Sequence, residues 1–82
     1  MDLLDTIELM TSTDYKERFK AEYLQTKIRF EKLHKMIIKA EAGTLDFSPD
    51  CSLDLLKSQE KVMRSYLFIL ETRAEIEHIE IM

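Results

Sequence analysis

Residues 53–79 read LDLLKSQEKVMRSYLFILETRAEIEHI, and this uninterrupted stretch decides the fold. It contains neither glycine nor proline, and its apolar residues recur at the spacing of a helix. We therefore predict a helix from about Leu53 to Ile79, which begins behind Ser52 as its N-cap. Two series of seam positions run along this helix, one of Leu56, Gln59, Met63, Tyr66 and Leu70, and a parallel one of Leu55, Val62, Ile69 and Ile76.

The apolar surface of this predicted helix is wider than one partner helix can cover. A helix in a two-helix hairpin needs one apolar stripe about 100° wide, whereas Leu67 and Phe68 add apolar surface outside both series. A monomer would expose a larger apolar patch than soluble monomers normally tolerate. We therefore expect the chain to pack against copies of itself as a symmetric oligomer.

A second long helix is predicted upstream, from about Tyr15 to Ala42. Asp14 supplies its N-cap and Gly43 its C-cap. The intervals between its apolar positions are those of a coiled-coil seam. These positions are Tyr15, Phe19, Tyr23, Thr26, Phe30, Leu33 and Ile37.

The predicted fold is therefore all-α and forms a single small domain. Residues 1–13 form a short helix or an extension, and residues 14–82 form an antiparallel helical hairpin. One cysteine, Cys51, excludes a disulfide framework, and its wide separation from His34 and His78 excludes a zinc-finger site. No apolar run reaches the roughly 18 residues of a membrane span, and the acidic start of the chain is unlike a signal peptide. These features predict an intracellular protein without a membrane partner.

The charge of the chain is unevenly distributed. Its net charge of −4 disfavours binding to a DNA or RNA duplex. The segment from Lys16 to Lys39 nevertheless has eight basic and three acidic residues, an excess of five positive charges. This excess is compatible with an anion site, with complementary faces in an oligomer, or with an ordinary solvated helix face.

Catalytic constellations in the sequence are weak. Cys51 and His34 lie in no nucleophile motif, and a single glycine excludes a glycine-rich phosphate loop. Glu71, Glu75 and His78 have the spacing of metal ligands on one helix face, but di-iron bundles need such a pattern on several helices. An exposed charged face explains these three residues more simply, so we predict neither an enzyme nor a metal or cofactor site.

Two residues are candidates for binding an anionic ligand. Arg73 lies near the continuation of an apolar seam, where a buried guanidinium needs an anion or carbonyl groups as partners. The structural alternative is an ion pair with Glu22 or Glu77. Tyr15 begins the basic helix, where its ring is suited to stacking on a base, and the alternative is an ordinary core aromatic.

The order of residues along both predicted helices resembles the pattern of a known protein family. The first helix has Arg18, Glu22, Arg29, Lys32-Leu33 and Met36-Ile37, and the second has Leu56, Gln59, Met63, Tyr66, Ile69-Leu70 and Arg73. From about Asp14 to Glu77 the chain resembles the small phage anti-CBASS proteins, which sequester cyclic oligonucleotide second messengers. The resemblance implies an all-helical homohexamer that acts without catalysis in the cytoplasm of the infected bacterial host.

The resemblance also implies two kinds of ligand site. A cyclic dinucleotide would lie between two subunits and contact Tyr15 together with a cation, Arg29 or Lys32. A cyclic trinucleotide would lie where three subunits meet and contact Arg73. Glu31 stands near a position where relatives carry a threonine that contacts the trinucleotide, and an acid there would repel phosphate.

A second functional class is compatible with the same sequence. A helical protein-interaction module, such as a phage regulator or assembly factor without a nucleotide ligand, would also need an apolar helical surface. A hydrolase acting on cyclic nucleotides is the weakest alternative, because the chain has no cluster of metal ligands or bases.

Overall fold

The computed structural model describes residues 1–81 and is all-helical, which confirms the predicted fold class. A 3-10 helix, Leu3–Thr6, leads directly into a short helix α1, Ile7–Met10. Two long helices follow, α2 over Tyr15–Ala42 and α3 over Leu53–Glu77. Within residues 1–81, no helix combines the length and the apolar character needed to cross a membrane.

Local capping interactions define three of the four ends of the long helices as predicted. At the start of α2, Asp14 Oδ1 accepts a hydrogen bond from the Lys16 N–H at 3.0 Å. At the start of α3, Ser52 Oγ accepts one from the Leu55 N–H at 3.2 Å. Gly43 ends α2 in the left-handed conformation, with φ at +76°. These interactions satisfy backbone groups that have no partner inside the helix.

The end of α3 differs from the prediction, because the helix stops at Glu77 rather than Ile79. His78 adopts a left-handed conformation with φ at +58°, and the Ile79 N–H donates to the Ala74 carbonyl oxygen at 2.8 Å. This turn reverses the chain and buries both Ile79 and Ile81. The helix therefore ends two residues early because burial of these side chains outweighs continued helical spacing.

Helices α2 and α3 pack against each other in opposite directions. The Tyr23 hydroxyl donates to Glu71 Oε2 at 2.8 Å, and farther along α2 the His34 Nδ1 lies 3.0 Å from Glu60 Oε2. Leu24 and Phe30 pack at the margin of the core between the helices. The core itself consists of Phe19, Tyr23, Leu67, Leu70, Ala74, Ile79 and Ile81.

The N-terminal segment, residues 1–10, lies against α2. Thr6 is fully buried, and its hydroxyl donates to the Leu3 carbonyl oxygen at 2.7 Å. The same hydroxyl accepts a hydrogen bond from Gln25 Nε2 of α2 at 2.8 Å. Because both bonds satisfy a buried polar group, they hold this short segment in a defined place.

The two predicted apolar series of α3 differ in how far α2 covers them. In the first series, Leu70 is buried and faces α2, whereas Gln59 and Tyr66 are exposed, so α2 does not cover these two seam positions. Leu67, expected outside both series, is buried instead. The second series is uncovered throughout, with exposed fractions of 60% at Leu55, 68% at Val62, 53% at Ile69 and 71% at Ile76. The physical reason is that α2 alone covers a single stripe of α3.

Replacing His78 by glycine should stabilise the protein. A left-handed conformation costs an L-residue about 1–2 kcal/mol, and the greater freedom of glycine in the unfolded chain offsets part of that gain. We expect the free energy of unfolding to rise by about 1 kcal/mol. Urea denaturation at one fixed protein concentration measures it, because the stability of an oligomer depends on concentration.

The matched control lies at the end of α2. A Cβ at Gly43 would meet nothing within 4 Å, so Gly43→Ala tests the backbone conformation alone. It should lower the free energy of unfolding by about 1 kcal/mol. A loss of stability in both variants would mean that the His78 side chain contributes contacts that outweigh its backbone strain.

Candidate ligand-binding site

Three polar side chains meet where the start of α2 lies beside the end of α3. The Tyr15 hydroxyl donates to Glu77 Oε1 at 2.8 Å. Arg73 donates twice, from Nη2 to the Tyr15 hydroxyl oxygen at 2.9 Å and from Nε to Glu77 Oε2 at 3.2 Å. The three hydrogen bonds form a closed network that joins the two helices.

A buried aromatic ring supports this network. The Arg73 guanidinium lies 4.9 Å from the centre of the Phe19 ring, within the range of a cation–π interaction. The rings of Tyr15 and Phe19 meet edge to face, with their centres 6.2 Å apart. Phe19 is only 3% exposed and belongs to the core. The buried Phe19 ring therefore supports the side chains of Tyr15 and Arg73, which lie against it at the surface.

The network also sets the charge state of its members. The hydrogen bond to Glu77 raises the pKa of Tyr15, and the same bond, followed by those from Arg73, lowers the pKa of Glu77. The hydrogen bond to Glu77 likewise raises the pKa of Arg73. At neutral pH the network therefore consists of a neutral phenol, a carboxylate and a guanidinium cation.

All three side chains remain accessible to a ligand. Tyr15 is 46% exposed, and the side chains of Arg73 and Glu77 are 45% and 33% exposed. The prediction of a buried guanidinium is thus wrong for the isolated subunit, while the ion pair of Arg73 with Glu77, the structural alternative, is present. An incoming anion must compete with the Glu77 carboxylate for the guanidinium.

The structure brings together two residues that the resemblance assigns to different ligands. Tyr15 and Arg73 share a hydrogen bond inside one subunit, although one was expected to contact a dinucleotide and the other a trinucleotide. Arg29 and Lys32 are exposed farther along α2. Arg29 follows Tyr15 by fourteen residues, which corresponds to about 21 Å along a helix. One subunit therefore does not bring Tyr15 and Arg29 to the same small ligand.

Lys32 lines a cavity of about 300 Å³ at the other end of α2. Lys35 and Lys39 line the same cavity, as do Leu45, Asp46 and Phe47 of the α2–α3 connection. Leu45 is half-buried, while Phe47 is exposed. The cavity thus combines three lysines and one carboxylate with an accessible aromatic ring, and the remaining positive charge suits an anion attached to a planar group.

A cavity of about 430 Å³ lies between the middle parts of α2 and α3. Phe30 and His34 stack in it, with ring centres 5.8 Å apart, and the Arg64 guanidinium carbon lies 5.6 Å from the centre of the Phe30 ring. Glu31, the acid expected to repel a phosphate, lines the same cavity. Sequence reasoning missed Arg64, although its ion pair with Glu60 four residues earlier is a recognisable helical pattern.

Two of the three candidate metal ligands on α3, Glu71 and His78, have structural roles. Glu71 accepts the Tyr23 hydroxyl, and burial, followed by this hydrogen bond, raises the pKa of Tyr23 to about 12. His78 forms the turn that ends the helix. Across residues 1–81, no three histidine, cysteine, aspartate or glutamate side chains gather where they could hold a metal ion.

Residues 13–76 match the model of a protein family described as Sequestin. The matched region covers more than three quarters of the chain. It contains the whole of α2 and all of α3 except its last residue, and so it includes both Tyr15 and Arg73. No curated protein and no solved structure matches the chain.

Replacing Glu77 by glutamine should lower the pKa of Tyr15 toward its ordinary value. The hydrogen bond to the Glu77 carboxylate is the main reason that this pKa is raised, because it stabilises the protonated phenol. The absorbance of the phenolate as a function of pH measures the change, and Tyr15→Phe identifies which transition belongs to Tyr15. An unchanged Tyr15 transition in Glu77→Gln would contradict the network.

Proposed function

The chain belongs to the Sequestin family, and we propose that it is a phage anti-defence protein that binds and sequesters cyclic dinucleotide or trinucleotide second messengers, or both, and so blocks CBASS signalling without catalysis. The family name denotes sequestration. The resemblance of residues 14–77 to anti-CBASS proteins supplies the ligand class and the setting, the cytoplasm of the infected bacterial host. The observation that carries the proposal is the exposed pair of Tyr15 and Arg73 on the buried ring of Phe19.

This pair suits the chemistry of a cyclic nucleotide. A cyclic dinucleotide is a compact dianion with two flat bases, so its recognition requires cations and aromatic faces. Stacking of a base on the Tyr15 ring would contribute about 1–3 kcal/mol. The planar guanidinium of Arg73 can form two parallel hydrogen bonds with one phosphate. Tight capture needs these contacts and no catalytic group.

Assembly would complete the sites. The uncovered apolar residues of α3 support an oligomer of hairpins, with the hexamer implied by the resemblance. A symmetry axis repeats each contact once per subunit, which fits ligands with approximate two-fold or three-fold symmetry. Across a two-fold axis, Tyr15 of one subunit and Arg29 or Lys32 of another can reach the same dinucleotide.

The alternative is a helical protein-interaction module with no nucleotide ligand. The same exposed helix face favours it, since an apolar face also suits a partner protein. Titration with a panel of cyclic di- and trinucleotides separates the two functions. Tight binding followed by recovery of intact ligand after denaturation supports sequestration. Absence of binding at micromolar concentrations supports the interaction module, and a linear product would indicate a hydrolase.

Replacing Tyr15 by alanine should weaken binding of cyclic dinucleotides at least tenfold, because the stacking surface is lost. Tyr15→Phe is the matched control, since it keeps the ring and removes only the hydroxyl. It should retain most of the affinity. Isothermal titration calorimetry gives the affinities, and light scattering checks that the oligomer is intact. Equal affinities of wild type and Tyr15→Ala would place the dinucleotide elsewhere.

Arg73→Ala should abolish binding of cyclic trinucleotides, because the cation that faces the phosphate is lost. Glu77→Gln should act in the opposite direction and strengthen binding severalfold, since it removes the carboxylate that competes for Arg73. The same calorimetric titration measures both variants. Weaker binding in Glu77→Gln would mean that Glu77 positions Arg73 for the ligand rather than competing with it.

A further inference from the structure

Helix α3 carries a second heptad seam that its own subunit leaves uncovered. Its positions alternate at intervals of four and three residues, which is the pattern of a helix–helix contact. All seven residues are exposed. This outer seam consists of Leu55, Gln59, Val62, Tyr66, Ile69, Arg73 and Ile76.

The outer seam lies beside the inner seam that faces α2. The inner seam, Leu56, Glu60, Met63, Leu67, Leu70, Ala74 and Glu77, is displaced by one residue, or about 100° around the helix. A helix in a four-helix bundle meets its two neighbours at about this angle. Within the described chain, α2 is the only helix that contacts α3. A second neighbour on the outer seam would have to come from another molecule.

The outer seam is self-complementary about its centre. Its two polar residues, Gln59 and Arg73, lie seven residues before and after Tyr66. An antiparallel copy therefore brings Gln59 opposite the partner subunit's Arg73, twice per pair. It also brings Val62 near the partner subunit's Ile69. A parallel copy in register would instead oppose two Arg73 guanidinium groups, which repel each other.

We infer that the outer seam of α3 docks against the outer seam of a second copy of this chain, antiparallel, about a two-fold axis near Tyr66. The inference rests on the oligomer of the proposed function and assigns the face, direction and register of one interface. The Gln59 amide oxygen accepts a hydrogen bond from the partner subunit's Arg73. Arg73 has donors for this bond, because only two of its five N–H groups serve Tyr15 and Glu77.

The side chains along one edge of the outer seam are small enough for a second helix to approach closely. Ser58, Ser65 and Thr72 flank it at intervals of seven residues, and all three side chains are small. Their hydroxyls donate to carbonyl oxygens one turn earlier in α3, at 3.1, 3.2 and 2.9 Å. Burial of this edge therefore leaves no hydroxyl donor without a partner.

The inferred interface also sets the distance between the two candidate ligand sites of a pair of subunits. In an antiparallel pair centred on Tyr66, the two Arg73 residues are fourteen positions apart along the helices, or about 21 Å. Each Tyr15–Arg73–Glu77 network then receives Gln59 of the partner subunit. The candidate site of one subunit is therefore completed by a second copy.

A charge exchange across the interface tests the inference. Gln59→Arg should oppose like charges twice per pair and weaken association at least tenfold, so the mass from light scattering shifts to smaller species. The double variant Gln59→Arg/Arg73→Gln recreates the pair with its members exchanged and should restore the wild-type mass. Ser48→Arg adds the same charge in the α2–α3 connection, where the residue is exposed, and should leave the mass unchanged. Failure of the double variant to restore association would overturn the register.

Cross-linking tests the axis independently of charge. In a Cys51→Ser background, Tyr66→Cys should form a disulfide between two copies under mild oxidation, whereas Lys57→Cys, off the outer seam, should not. Efficient cross-linking through residue 57 but not residue 66 would overturn the inference. If neither the exchange nor the cross-link behaves as expected while the wild type still forms an oligomer that binds cyclic nucleotides, this interface is wrong and the proposed function stands. A wild type that is monomeric at tens of micromolar contradicts both.

Discussion

A single helix can cover only one stripe of α3, and the rest of the structure depends on that limit. Helix α2 buries the stripe that contains Leu67, Leu70 and Ala74. The neighbouring stripe, with Val62 and Ile69, stays in contact with water, which costs free energy in proportion to its apolar area. In so small a chain, the core alone provides limited stability. The proposed association would cover this stripe, and a ligand site at a subunit junction would then need no additional element of the chain.

The network of Tyr15, Arg73 and Glu77 joins the start of α2 to the end of α3 and is the centre of the proposed ligand site. The turn at His78 ends α3 at Glu77 and folds the following chain into the core. The ring of Phe19 supports Arg73 from below. As a result, a guanidinium and a phenol are held at the surface by groups that belong to the core. The hydrogen bonds and the Phe19 ring fix their orientation without a ligand, which would lower the entropy cost of the proposed binding.

Local signals in the sequence predict most of the fold, and contacts between distant residues explain what they miss. Asp14, Gly43 and Ser52 act on their own backbone neighbours, so the ends that they define are predicted correctly. The end of α3 depends on burial of Ile79 and Ile81, which no spacing rule reveals. The inner and outer seams of α3 have the same heptad spacing, and only the position of α2 decides which of them is covered. Likewise, Tyr15 and Glu77 lie 62 positions apart, so their hydrogen bond leaves no local pattern.

The shared hydrogen bond between Tyr15 and Arg73 makes the two proposed ligand sites interdependent. A trinucleotide phosphate that drew the Arg73 guanidinium toward itself would change the partners of the Tyr15 hydroxyl. A base stacked on Tyr15 would in turn change how freely the Arg73 side chain moves. Thermodynamic linkage requires reciprocity. If the first ligand changes the affinity for the second by some factor, the second changes the affinity for the first by the same factor. The two proposed sites would therefore be coupled through the direct hydrogen bond between Tyr15 and Arg73 and through Glu77, which contacts both residues.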